Sequence, residues 1–378
     1  MVRFKEVECF QVSHHEVLRR SKSAVISNRG RLVPLLLIIL VSCSSSPTED
    51  LGPVPLVTQG VYVLSEGIPG QNNSALTYFV PDSDRVSQDV FRVANGRPLG
   101  DAGRQMVVSG TFACLLVSGS NKIEVMRTSD NVSIATIPLK SGGNPFALTV
   151  DGNYAYVTNR DPLGSVTVVD LTSNRILWDS IGVGFYPEGL TTSLGKVYVC
   201  NANQGSGRTV SVIDEGTGRL LRNIVVSDGP SCADVAPDGS VWILCTGSVG
   251  GSSGSSTETP GSLFVIDPIY DIVVDSIFVG GHASEMAISP DGFVYVVEGN
   301  RILKYNGLTY QLVTSGFVVG SPSSNYDAIA VDEYTNSVYV ADAKDFVQNG
   351  EVRIYSPDGF LKGRFDTGVA PVSIAFRR

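Results

Sequence analysis

From residue 58 to the end of the chain, short apolar runs alternate with polar positions and are closed by glycine, proline, asparagine or aspartate. Period-two alternation over such runs predicts β-strands joined by tight turns, with little room for long helices. One unit recurs: an apolar strand, a turn, an aromatic strand, a loop, a valine-rich strand ending in Asp, and a fourth strand leading to Gly and often Pro. The aromatic strand is clearest in Ala155-Tyr156-Val157-Thr158-Asn159, Val197-Tyr198-Val199-Cys200-Asn201, Val241-Trp242-Ile243-Leu244, Val294-Tyr295-Val296-Val297 and Val338-Tyr339-Val340-Ala341-Asp342. Weaker copies surround Tyr62 and Cys114. The aligned positions 62, 114, 156, 198, 242, 295 and 339 recur every 42 to 53 residues, close to the period of four-stranded propeller blades. At the C-terminus, Pro371–Phe376 reads as a first strand with no second strand after it. Gly60–Val63 reads as a second strand with no first. Joined, they complete one blade and remove the free sheet edges. The expectation is all-β: a seven-bladed β-propeller of four-stranded antiparallel blades over residues 58–378, its ring closed by the C-terminal strand.

The first 42 residues follow another pattern. Seven Lys or Arg side chains and three Glu precede or flank the apolar run Leu32–Val41, which ends in Ser42-Cys43. The run is short for a bilayer span, and its basic flank and small-residue exit fit a secretory signal. It resembles the bacterial lipobox, which implies that Cys43 is diacylated and becomes the new N-terminus. The expected organisation is a signal peptide over 1–42, lipidated Cys43 with a polar tether over 43–57, and the propeller over 58–378. A start near Val25, from a non-standard initiator, would give a leader of more usual length. Processing removes seven basic and three acidic residues and so moves the net charge from −9 to −13. Such a surface repels nucleic acid and anionic headgroups, so membrane contact is expected through the lipid alone. The expected location is the outer membrane, facing the periplasm or the cell surface. A ring that closes on itself needs no partner, so a monomer is expected.

The processed chain keeps Cys43, Cys114, Cys200, Cys232 and Cys245, with no CxxC pair, which argues against a structural zinc site. Cys232 and Cys245 flank the turn Pro237-Asp238-Gly239, nearly opposite each other. A disulfide there, and two thiols packed as small hydrophobes, are both compatible with the sequence.

Antiparallel connectivity puts the loops after second and fourth strands on one face and the turns after first and third strands on the other. The turns are short, as in Val150-Asp151-Gly152-Asn153 and Pro237-Asp238-Gly239-Ser240. The aspartates ending third strands (Asp170, Asp214, Asp267) are expected to bond the backbone of the following turn. The opposite loops are longer and chemically mixed, the place where binding residues gather on a rigid scaffold. Phe146, Tyr186 and Tyr326 are aligned there, either ringing the channel mouth to stack on a ligand or packing between blades. Arg97, Asp101, Arg104, Arg160, Glu188, His282, Glu285 and Asp327 complete the candidate ligand-binding set. The Gly-Ser-rich segment Thr246–Ser262 reads as a tolerated loop insertion.

Over residues 58–378 the repeats resemble the YVTN or YncE-like propeller family, whose name-giving motif matches Tyr156-Val157-Thr158-Asn159. Gly60–Gly67 and Asn95–Asp101 also resemble a group of exported propeller lipoproteins. Some of these bind corrinoids beside a TonB-dependent cobalamin transporter. The resemblance implies the propeller fold; a corrinoid ligand and a transporter partner are its most specific functional suggestions.

Catalysis finds less support. His282 is the one histidine after residue 42, and no Gly-x-Ser-x-Gly elbow, P-loop or dinucleotide fingerprint accompanies it. Carboxylates on the loop face (Glu66, Asp101, Glu188, Glu285, Asp327, Asp342) leave a metal-dependent, lactonase-like hydrolase as the alternative, and a structural or adhesive envelope protein as a third reading. The expectation is a binding protein for a small molecule or an envelope partner, with no catalytic residue, no metal and no cofactor.

Overall fold

The computed structural model describes residues 57–140, 142–250 and 257–378. The predicted signal peptide, Cys43 and most of the tether lie outside the described residues. Among the described residues, seven four-stranded antiparallel sheets and one two-stranded ribbon account for the strands. The seven inner strands are Pro371–Arg377 in blade 1, Gly103–Ser109 in blade 2, Pro145–Asp151 in blade 3 and Pro187–Ser193 in blade 4. Blades 5, 6 and 7 contribute Pro230–Val235, Ala283–Ile288 and Tyr326–Val331. Each inner strand packs beside the next, and blade 7 returns to blade 1, so the ring closes. The closing blade is built as expected: Pro371–Arg377 pairs with Gly60–Ser65, which pairs with Ala75–Val80 and then with the three-residue strand Arg85–Ser87.

The hydrophobic core is divided into seven clusters, one at each interface between neighbouring blades. Each is filled chiefly by second and third strands, which are apolar on both faces because both are covered. The aromatic position of the repeat supplies the largest buried groups: Tyr62, Tyr156, Tyr198, Trp242 and Tyr295 have almost no exposed surface. Two of the tyrosine hydroxyls find partners where the chain turns. The Tyr198 hydroxyl donates to Asp271 at 2.6 Å and that of Tyr62 to Asn131 at 2.6 Å.

The asparagines that end two second strands tie down their blades. Asn159 donates to Ser165 and Thr167, and Asn201 donates to Thr209 and Ser211. Asn201 also accepts the Gly184 N–H of the incoming loop at 2.9 Å. The turn aspartates behave as expected: Asp170 accepts the Thr172 N–H at 2.8 Å, Asp214 that of Thr217 at 2.8 Å, and Asp267 that of Ile269 at 2.7 Å.

Two features go beyond the sequence reading, and a third decides between alternatives that it left open. A short helix, Val90–Asn95, links blades 1 and 2 and buries Phe91. Within the insertion after Cys245, Ser248–Val249 pairs with Glu258–Thr259 as a ribbon, and Thr259 donates to Asp228 at 3.0 Å. Finally, Cys232 and Cys245 are both free thiols. Cys245 is paired with Pro230, and Cys232 with Leu244. Neighbouring residues of a strand face opposite sides of the sheet, so Cys232 joins the interface of blades 5 and 6 while Cys245 joins that of blades 4 and 5. Denatured protein should therefore take up the same number of alkylating groups with and without prior reduction. A gain of two groups after reduction would restore the disulfide.

Candidate functional site

Every inner strand carries the same irregularity at its first turn of pleat. In blade 2, Gly103 pairs with Val117 and Gln105 with Leu116, leaving Arg104 without a cross-strand partner. The register slips by one residue at the equivalent place in the other six blades, at Phe146, Glu188, Ser231, Ser284, Asp327 and Val372. A bulge places two residues opposite one and re-aims a side chain. Consecutive residues of the inner strands thus reach the axis, among them Arg104-Gln105, Phe146-Ala147, Ser231-Cys232 and Asp327-Ala328, around a cavity of about 340 Å³. Gly189 makes the close approach of blades 4 and 5 feasible, since a Cβ there would lie 2.4 Å from the Ser231 carbonyl oxygen.

At this mouth two guanidinium groups share one aromatic ring. Arg104 lies 4.2 Å and Arg160 4.6 Å from the centroid of Phe146, within the range of cation–π attraction. Arg160 pairs with Glu188 at 2.7 Å, and Arg104 reaches Glu66 at 3.7 Å. Thr158 donates to the Glu188 carbonyl at 2.8 Å and so fixes that strand against blade 3. Glu285 and Asp327 line the same cavity from blades 6 and 7.

The carboxyls here are shifted upward. Glu285 keeps some surface on the cavity, yet the encircling strands exclude bulk water. This desolvation pushes it up to about 8, with Asp327 and Glu188 adding like-charge repulsion and Arg104 opposing. Burial also raises Glu188, Asp327 and Glu66, each against the pull of Arg104. Deeper in the channel, burial pushes Asp234 up to about 6 despite N–H groups donated by Val235 and Ile288. A carboxyl raised on folding costs nothing below its unfolded value and costs progressively more as pH rises towards its folded value. Glu285→Gln should therefore melt increasingly above the wild type between about pH 5 and pH 8. A difference independent of pH, measured by thermal denaturation across that window, would contradict the raised Glu285.

Of the residues singled out from sequence, Arg104, Phe146, Arg160, Glu188, Glu285 and Asp327 converge on the mouth. Arg97 instead reaches Glu124 at 2.5 Å and lies over Phe91. Glu124 is fully buried and also holds Lys122, Ser133 and Thr136. Asp101 accepts the N–H groups of Gly70 and Asn72, bracing the loop after the first second-strand. His282 meets the Thr246 carbonyl at 2.9 Å and Glu258 at 3.2 Å, which pins the base of the ribbon. The three aromatics do not occupy equivalent positions, contrary to the sequence alignment. Phe146 is a bulge residue, whereas Tyr326 pairs with Asp342 one place earlier in its strand. Tyr326 is buried at the interface of blades 6 and 7, its hydroxyl accepting from Arg353 at 3.1 Å. Tyr186 precedes its strand in a left-handed conformation, φ 43°. Sequence reasoning missed the bulges and the lining residues Gln105, Ser231, Cys232 and Asp234. A bulge has no residue-type signature, and only the shared offset from the strand's first residue marks it.

Among the described residues, no group of three or more His, Cys, Asp or Glu converges with metal-holding geometry. No helix among them is long and apolar enough to cross a membrane.

No protein-family model matches the chain, and no curated protein matches it significantly. Solved structures match at the level of the fold. Hydrazine synthase from Kuenenia stuttgartiensis is 19% identical over 72% of this chain and 89% of its own, with a TM-score of 0.62. A quinonprotein alcohol dehydrogenase-like protein from Bacteroides thetaiotaomicron is 16% identical over 84% and 78%, with a TM-score of 0.65. Apo AztD from Citrobacter koseri is 12% identical over 85% and 98%, with a TM-score of 0.52. At these identities the likeness carries the propeller architecture and nothing further.

Proposed function

We propose that this propeller is a binding scaffold, held at the outer membrane by lipid on Cys43, whose loop-face mouth takes a small molecule and presents it to an envelope partner. The observation that carries the reading is the convergence of Arg104, Phe146, Glu285 and Asp327, from four blades, on one cavity. Its volume of about 340 Å³ lies within the range of small-molecule pockets. Binding is favoured over metal-dependent lactone hydrolysis by the donor set. The mouth carboxylates Glu66, Glu188, Glu285 and Asp327 come from four different blades, and two arginines compete for them.

The YVTN-like repeats and the lipoprotein resemblance make a corrinoid the first ligand to test and a TonB-dependent transporter the first partner. A corrinoid ring would lie across the loop face, with only a side arm entering the channel. Calorimetric titration of the full chain with a corrinoid panel and with small charged and neutral compounds tests the site. Binding of at least one compound, weakened about ten-fold or more by Phe146→Ala through the loss of stacking and of arginine placement, is the expected result. If no compound binds at high micromolar concentration, the mouth is not a ligand site.

A further inference from the structure

Acids outnumber bases at the mouth. Among the described residues, the bases that face Glu66, Glu188, Glu285 and Asp327 are Arg104 and Arg160. Arg160 is engaged by Glu188, and Arg104 leans towards Glu66 while lying over Phe146. Glu285 and Asp327 make no hydrogen bond or ion pair among the described residues, although both line the cavity. Two neighbouring carboxyls with no donor, enclosed by a ring of strands, lose hydration and repel each other when ionised.

We propose that the channel mouth binds an aliphatic amine cation, its ammonium lodged between Glu285 and Asp327 and its carbon chain passing Met286, Ala328 and Ile329. This assignment rests on the reading of the mouth as a ligand site and names the ligand class. An ammonium offers three donors and no acceptor, the complement of two unpaired carboxylates. The Arg104 and Arg160 side of the mouth repels it and so sets its orientation. Beyond the two carboxylates Met286, Ala328 and Ile329 line the cavity, Met286 and Ala328 also packing into the neighbouring inter-blade cores. Asp234 follows Cys232, the register equivalent of Glu285, by two residues, so it lies roughly 6–7 Å deeper. A short diamine therefore meets acid at both ends.

The charge linkage has a defined sign. Glu285 is faced by Asp327 on blade 7, Glu188 on blade 4, Arg104 on blade 2 and the Cys232 thiol on blade 5. Burial and its acidic neighbours leave Glu285 largely protonated in the empty site at pH 7, and a bound ammonium favours its ionised form. Binding then releases a proton, and affinity rises with pH up to about 8.

Calorimetry on the full chain with putrescine, n-butylamine, butyrate and cobalamin, repeated in buffers of different ionisation enthalpy, tests this. Expected are one putrescine per chain, bound more tightly than n-butylamine, with proton release and no response to butyrate. Glu285→Gln should weaken putrescine by about ten-fold or more while keeping a cooperative melt. Asp327→Asn carries the same expectation if the first variant fails to fold. Equal putrescine affinity in wild type and variant, or preference for butyrate, overturns the inference. Cobalamin binding without putrescine binding also overturns it and leaves the mouth reading intact. Silence from every probe overturns both.

Discussion

Removal of residues 371–378 is expected to abolish cooperative folding. The lost segment is the whole inner strand of blade 1, paired along Gly60–Ser65 and packed beside the inner strands of blades 2 and 7. Ser373 also accepts the Met106 N–H of blade 2 at 3.1 Å, so the deletion cuts the ring in two directions. Without it, Val61 and Val63, now fully buried, lose their cover, and a long apolar strand becomes a free edge open to association. The loss should exceed the ordinary net stability of a domain, about 5–15 kcal/mol. Circular dichroism during heating should show no sigmoidal transition, and most of the product should be insoluble. A truncated chain that melts cooperatively near the full-length midpoint would refute closure by this strand.

The second large effect is expected at Trp242. Its indole has no exposed surface, donates to Ser240 at 3.1 Å, and lies 5.8 Å from the Tyr310 ring across the interface of blades 5 and 6. Truncating so large a buried group removes its transfer energy and leaves a cavity that rigid neighbouring sheets collapse into poorly. Trp242→Ala should cost about 3–5 kcal/mol. For a propeller of this length, that is roughly a 5–8 °C fall in midpoint. Trp242→Phe should retain more than half of the lost stability, because most of the apolar contact survives. A midpoint change within about 1 °C for the alanine variant would mean that this interface relaxes rather than packs.

The fold was legible because its cause is periodic. The aromatic of the second strand fills an inter-blade layer, so it recurs with the blade, and the unmatched strands at the two ends disclose the closure. The loop face followed from antiparallel connectivity, and with it Arg104, Phe146, Arg160, Glu188, Glu285 and Asp327. The rest depended on single-residue offsets. A one-residue slip after each inner strand begins separates Phe146 from Tyr326, two residues that look aligned by eye. A similar slip in blade 5 puts Cys232 and Cys245 on opposite sides of one sheet. Arg97 and Asp101 stand out in the sequence only as charges in an inter-blade segment. Their partners, Glu124 and the loop at Gly70, lie too far along the chain for local pattern to reveal.

The sevenfold kink at the start of the inner strands has a consequence for how this architecture changes over time. The kink belongs to the main chain: Arg, Phe, Glu, Ser, Asp and Val all occupy it across the seven blades. Its occupants stand outside the ladder that holds each sheet together. Much of the side-chain chemistry at the rim is therefore set at positions separate from those that keep the sheets paired. Substitution can rewrite the rim one residue at a time while the layers between blades stay under their own, independent constraint.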